Sequence, residues 1–184
     1  SAITSLSSGS AITIDNTHPT SSAATIAVSG DGNGNDGDVV TLTLDPSEAV
    51  GTPTCTWTDG SGAMEDTSVT YGTTGVDSHT AAVTVHNDDD DGTVGFSCTY
   101  TDSAGNAIAS AITSLSSGSA ITIDNTHPTS SAVTIAVSGD GDANDADVVT
   151  VTLDPSEAIG TPTCTFTDGS GAMEDTSVTY GTTG

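Results

Sequence analysis

Apolar residues alternate with Thr and Ser over several short runs of the chain. Val40, Leu42 and Leu44 share one face of such a run, as do Cys55 and Trp57. A period of two is the spacing of a β-strand with one buried face, and no stretch carries the apolar stripe of a helix. Turn-forming residues separate the runs. The pattern predicts seven strands per repeat, at 25–29, 38–45, 52–58, 67–71, 79–86, 93–101 and 107–124.

The chain also repeats itself. Residues 1–75 recur at 110–184, an offset of 109 positions, with seven substitutions. A period of this length suits one small domain per repeat. The sequence therefore predicts that 1–14 is the last strand of a preceding repeat, 15–124 a complete repeat and 125–184 an incomplete copy, all excerpted from a longer protein.

Seven short strands in one repeat favour an all-β fold of tandem immunoglobulin-like Greek-key β-sandwiches. Cys55 and Trp57 lie on the apolar face of their strand and would fill the gap between the sheets. Trp57 becomes Phe166 in the second copy, a change that a packing role tolerates.

The charge is entirely of one sign. The sequence has no Lys or Arg and 25 Asp and Glu, a formal net charge of -25. Binding to nucleic acid or to an anionic membrane surface requires basic groups, so both partners are excluded, and no segment is apolar enough for direct membrane insertion. Acidity with few aromatic residues also suits a disordered chain, but the regular alternation of Val, Ile, Leu and Thr favours a folded one.

The three cysteines follow the repeat. Cys55 and Cys164 occupy the same position in successive copies, and Cys98 falls in the stretch that the second copy does not include. Two cysteines per repeat without CxxC spacing predict a Cys55–Cys98 disulfide, and hence an extracellular or cell-surface location. The alternative is a pair of free buried thiols.

Three segments resemble a known family: GDVVTLTLDPSEAVGTPT, DDGTVGFSCTYTDSAGNA and AITIDNTHPTSSAATI. Their order and spacing are similar to those of the tandem bacterial-type immunoglobulin-like repeats of large extracellular adhesins and surface appendages. The resemblance covers nearly the whole repeat. It implies a chain of similar domains whose neighbours are copies of the same repeat.

Acidic loops are the candidate metal sites. Successive antiparallel strands reverse direction, so the first, third and fifth loops share one pole and collect most of the carboxylates. Flexible, oxygen-rich loops suit calcium, and an ion there would relieve repulsion between domains. The alternative is a set of solvated acidic turns. The candidate ligands are Asp31, Asn33, Asn35, Asp36 and Asp38, their copies Asp140, Asp142, Asn144, Asp145 and Asp147, and also Asp88, Asp90 and Asp124.

No catalytic motif is present, so the sequence does not predict an enzyme. It predicts an extracellular stalk, fibre or filament whose domains are stabilised by disulfides and rigidified by calcium. The main alternative is an adhesin module that binds a surface glycan, a cell surface or ice. A third hypothesis is a filament whose subunits join through a donated strand, since 1–14 matches the end of a repeat. The second copy lacks two strands and part of a third, which is more than this short segment replaces, so covalent continuity is the simpler account.

Overall fold

The structure is a computed structural model that describes residues 9, 12–30, 32–75, 77–139, 141–144, 146–172 and 178–182. Three of the predicted calcium ligands, Asp31, Asp140 and Asp145, lie outside these residues, as does most of the segment 1–14. The chain divides into two compact units, Ser1–Thr126 and His127–Gly184.

The described residues contain strands and no helix, which confirms the all-β prediction. Accordingly, no helix in the described part of the chain is long and apolar enough to cross a membrane. The strands of the first unit are β1 (Ser21–Val28), β2 (Val39–Pro46), β3 (Thr54–Thr58), β4 (Thr70–Thr73), β5 (His79–Thr84), β6 (Gly92–Thr93), β7 (Gly95–Thr99) and β8 (Thr122–Ile123). Those of the second unit are β9 (Ser130–Val137), β10 (Val149–Pro155), β11 (Thr167–Asp168) and β12 (Gly171–Ala172).

Four strands of the first unit form one antiparallel sheet in the order β1-β2-β5-β4. Strand β2 lies inside it, with Leu42 opposite Ile26 on one side and Ala81 on the other. The alternation of β2 explains this position, because Val40, Leu42 and Leu44 are completely buried while the Thr residues between them are not. The apolar face of the sheet thus forms one wall of the core.

The opposite wall is built from β3 and β7, which pair antiparallel, and from the shorter pair of β6 and β8. Trp57 lies opposite Phe96 in this register, with ring centroids 6.3 Å apart. One continuous hydrophobic core joins the walls, an arrangement consistent with a β-sandwich. Its buried members are Ala24, Val40, Leu42, Leu44, Cys55, Trp57, Met64, Ala81, Val83, Val85, Val94, Phe96, Cys98, Tyr100, Ile112, Ile121 and Ile123.

A disulfide links Cys55 of β3 to Cys98 of β7. The backbone N–H and C=O of Cys98 bond to Ile112 on the far side of β7, at 3.0 and 2.8 Å. The two cysteines are therefore a non-hydrogen-bonded pair, the position where antiparallel strands approach most closely, and their Cα atoms are 4.1 Å apart. Both are buried in the core, yet the bond joins neighbouring strands of one sheet instead of linking the two sheets.

The predicted long strand at 107–124 is wrong. Its parts have three different partners: Ile112 bridges Cys98, Ser116 bonds to Ala24, and β8 pairs with β6. The run SLSSGS between them breaks the strand, and Gly118 has a φ of 87°, which favours glycine. The strand predicted at 93–101 is also interrupted at Val94, whose N–H donates to the carbonyl of Ile121.

The second unit repeats the first hairpin. Strands β9 and β10 pair antiparallel with Ile135 opposite Val151, the register that joins Ile26 to Leu42 in the first copy. Strands β11 and β12 form a short hairpin. The side chains of Val133 and Ile135 on β9 are exposed, whereas Ala24, which corresponds to Val133, is buried.

Candidate metal centre and acidic loops

Carboxylates of the first unit accept hydrogen bonds from neutral donors, since the sequence supplies no Lys or Arg. Asp89 is the clearest case: it is buried, and its two oxygens accept from the backbone N–H groups of Glu65 at 2.7 Å and His86 at 2.8 Å. Asp59 accepts from the N–H groups of Ser61 and Gly62 in the same way. These carboxylates hold the loop backbone in place.

The predicted ligands of the first acidic loop organise that loop. The carboxylate of Asp38 accepts from the Ser29 hydroxyl at 2.9 Å and from the N–H of Asn35 at 3.2 Å. Asp36 accepts from the N–H of Asn87. Asn33 is exposed, and its side chain makes no hydrogen bond to another residue in the described part of this loop.

The second copy builds this loop in the same way. Asp147 accepts from the Ser138 hydroxyl at 3.0 Å and from the N–H of Asn144 at 3.0 Å. Asp142 is exposed, and its carbonyl accepts from the Asn144 side-chain amide. Asp38 and Asp147 thus accept equivalent hydrogen bonds within their own loops, and their role as calcium ligands stays a prediction.

The aspartates of the loop 86–91 differ in their exposure to solvent. Asp88 and Asp90 are exposed, and the carboxylate of Asp90 accepts from the Ser61 hydroxyl, while Asp89 between them is buried. Asp90 also donates its backbone N–H to Asp59 at 3.0 Å. The run of four aspartates therefore mixes structural carboxylates with solvated ones.

Asn125 and Thr126, at the end of the first unit, form hydrogen bonds with the loop 86–91. Asp91 accepts from the N–H of Asn125 and from the Thr126 hydroxyl, and the Thr126 hydrogen bond holds the pKa of Asp91 below its usual value. The Asn125 side-chain amide donates to the carbonyls of His86 and Asp89 at 2.8 and 2.9 Å. The carboxylate of Asp124, a predicted ligand, is exposed, and its N–H donates to Gly34.

At the other pole, Asp15, Glu48 and Asp102 bring one carboxylate oxygen each within 4.8 Å of one another. Like charges at this distance repel by about 1 kcal/mol per pair in water and more in a protein. Asp102 is buried, and its oxygens accept from Asn106, whose side-chain amide holds the pKa of Asp102 below its usual value. The cluster is the one group of three or more His, Cys, Asp or Glu side chains in the described residues with the spacing of metal ligands.

The loop that carries Asp102 also holds the entry segment of the unit. The Asn106 amide donates to the carbonyl of Asp15 at 3.1 Å, and Nδ1 of His18 lies 2.7 Å from the carbonyl oxygen of Ala107. Oxygen ligands from carboxylates suit calcium. The candidate ligands named from the sequence lie mainly in the loops of the opposite pole, and Asp15, Glu48 and Asp102 are not among them.

Comparison of the chain with protein-family models, curated proteins and solved structures finds no match.

Proposed function

We propose that this chain is a section of an extracellular stalk or filament built from tandem immunoglobulin-like domains. The observation that carries the proposal is the near-identity of two copies of 75 residues in which the same hairpin and the same loop bonds recur. A repeated module supplies length and stiffness without needing a different site in each copy.

The strand order supports the immunoglobulin-like part of the proposal. In such domains the first, second, fifth and fourth strands form one sheet, and the third strand pairs with the sixth in the other. The order β1-β2-β5-β4 matches the first of these sheets. Because β6 has only two residues, β7 corresponds to the sixth strand, and it pairs with β3. Ile112 bridges the other side of β7, where the last strand of such a domain lies. The Cys55–Cys98 bond supports an oxidising, extracellular location.

Calcium is the cofactor that the acidic composition favours. The cluster of Asp15, Glu48 and Asp102 lies where the entry segment meets the 101–107 turn, so an ion there would stiffen the start of the domain. With a dissociation constant of roughly 1 mM, calcium at ten times that concentration stabilises the folded unit by about 1.4 kcal/mol. The expected partners are neighbouring copies of the repeat.

Electron microscopy of the native material with calcium or with excess chelator tests the stalk. We expect straight particles in calcium and more bent ones in chelator. A chelator-independent contour and an unchanged melting temperature would argue against calcium. Neutralising Asp15 and Glu48 as D15N/E48Q should remove the calcium response. The matched variant E65Q/D77N neutralises two acidic residues that are not candidate ligands, and it should keep the response.

A glycan and cell-binding array separates the stalk from an adhesin. A spacer should bind nothing at any concentration tested. Saturable binding of the 184-residue chain to a glycan, a cell surface or ice would assign the repeats to recognition instead, with several copies supplying avidity.

A further inference from the structure

Asn33 lies in the loop between β1 and β2, with a glycine on either side. Its side chain is exposed, whereas Gly34 is buried. The sequence contains seven asparagines, and Asn33 is the one that glycine follows. The others precede Thr, Ala or Asp; they are Asn16, Asn35, Asn87, Asn106, Asn125 and Asn144. The loop thus places an exposed amide next to a backbone N–H that no side chain hinders.

This arrangement suits the loss of the amide without an enzyme, since asparagine is a thermolabile residue. The backbone nitrogen of Gly34 gives its proton to water or hydroxide and bonds to Cγ of Asn33, while the Cγ–Nδ2 bond breaks and ammonia leaves. Water then adds to one of the two carbonyl carbons of the resulting ring. Breaking the new Cγ–N bond yields aspartate, and breaking the original peptide C–N bond yields isoaspartate. Each product carries one more negative charge than the parent.

Two backbone hydrogen bonds restrain the nitrogen that must react. The N–H of Gly34 donates to the carbonyl of Thr122 at 2.9 Å, and the carbonyl of Gly34 accepts from the N–H of Asp124, also at 2.9 Å. Gly34 and Ile123 thereby form a parallel bridge, and the side chain of Ile123 is completely buried. The nitrogen of Gly34 therefore becomes free to react only when this bridge opens locally.

Packing explains why a glycine stands at this position of the first unit. A Cβ atom at Gly34 would lie 3.2 Å from a methyl group of Val85, which is a tight contact, and 3.7 Å from Ile123. The second copy differs at both reacting positions, with Asp142 in place of Asn33 and Ala143 in place of Gly34. The second copy thus already carries the carboxylate that loss of the amide would give to the first.

We infer that Asn33 is a site of spontaneous deamidation in the folded protein, and that opening of the bridge between Gly34 and Ile123 sets the rate. The co-reactant is water. The product adds a carboxylate to the loop that contains Asp36 and Asp38, where the second copy encodes one as Asp142. The inference goes beyond the stalk proposal and does not depend on it, because it concerns one loop of the first unit.

Incubation of the 184-residue chain at mildly alkaline pH, followed by fragmentation mass spectrometry of the intact chain, tests the site. We expect Asn33 to exchange its amide for an acid before any other asparagine does, and native electrophoresis to show one added negative charge. The same chain unfolded in urea should react faster, because the bridge is then absent.

Two variants test the chemistry of the reacting pair. N33Q should not react at this position over the same period, because its longer side chain would have to close a larger ring. D142N places an exposed amide before Ala143, and it should also stay intact, because alanine approaches the side chain less freely than glycine does.

A matched pair of variants tests the bridge. I123V removes one buried methyl group next to Gly34, whereas I112V makes the same change where Ile112 bridges Cys98. I123V should speed the deamidation of Asn33 about two- to tenfold, and I112V should leave its rate unchanged. The fluorescence of Trp57 shows whether each variant stays folded.

Several outcomes would overturn the inference. The site is wrong if another asparagine of the folded parent reacts as fast as Asn33, or if the folded parent stays intact while the unfolded chain reacts. Reaction at position 142 of D142N at the rate of Asn33 would contradict the role of Gly34. Equal rates in I123V and the parent would contradict the role of the bridge. The stalk proposal is tested separately by microscopy.

Discussion

Removal of the Cys55–Cys98 disulfide should strongly destabilise the first unit. The cysteines are 43 residues apart, and in the chain-entropy model a loop of this length lowers the entropy of the unfolded chain by about 13 cal/mol/K. At 25 °C this corresponds to about 4 kcal/mol, a large fraction of the roughly 5–15 kcal/mol that stabilises a domain. The double variant C55A/C98A should lose at least that much.

Tryptophan fluorescence during urea unfolding measures this loss in one unit alone. Trp57 is the single tryptophan of the chain, and it is buried in the core of the first unit, whereas the second copy has Phe166 at that place. We also expect a steeper denaturant dependence in the variant, because its unfolded chain is no longer cross-linked and exposes more surface.

The variant C164A is the matched control, since it removes a cysteine outside the first unit, and its Trp57 transition should coincide with that of the parent. A loss smaller than about 1 kcal/mol in C55A/C98A would refute the entropic reasoning. It would mean that the β3–β7 pairing already restricts the unfolded chain.

Three further predictions use the same Trp57 signal. D89A should cost about 1–3 kcal/mol, because two loop N–H groups lose their acceptor, whereas the exposed neighbour in D88A should change stability by less than about 0.5 kcal/mol; equal effects would contradict a structural role for Asp89. I123A should cost about 2–5 kcal/mol, because Ile123 is completely buried. I14A should cost almost nothing, because Ile14, the equivalent residue of the identical segment 1–14, is exposed; a large loss in I14A would show that Ile14 is buried. The hydrogen bond from Asn106 holds the pKa of Asp102 in the folded state below its usual value. The contribution of Asp102 to folding stability is therefore present above the usual pKa, and it is lost as the pH falls through the lowered pKa of the folded state. D102N should therefore flatten the acid-side loss of stability relative to the parent, and parallel profiles would contradict the assignment.

The sequence was sufficient for the core strands because their burial alternates with a period of two. Val40, Leu42 and Leu44, the disulfide cysteines and Trp57 are buried, as the alternation predicted. The prediction of one strand at 107–124 was wrong because β-branched residues suit one long strand as well as several short extended pieces. The three partners of these pieces lie far away in sequence. The local residue pattern does not specify which strand each piece of this segment pairs with.

The acidic loops show a similar limit. Composition predicted excess negative charge, but it did not distinguish buried Asp89 from exposed Asp88 and Asp90, because adjacent aspartates have the same chemistry. What separates them is the position of the N–H groups of Glu65 and His86. The cluster of Asp15, Glu48 and Asp102 joins residues from three distant segments, so no local sequence pattern marks it as one site.

The neutral donors that hold these carboxylates have a consequence for salt. Dissolved ions screen attraction in proteins stabilised by ion pairs between basic and acidic side chains, but this sequence has no Lys or Arg to form such pairs. Short hydrogen bonds from backbone N–H groups, such as those to Asp89 at 2.7 and 2.8 Å, are little affected by screening. Mutual repulsion among 25 acidic groups is the long-range term that remains, so the folded chain should become more stable as the medium becomes more saline.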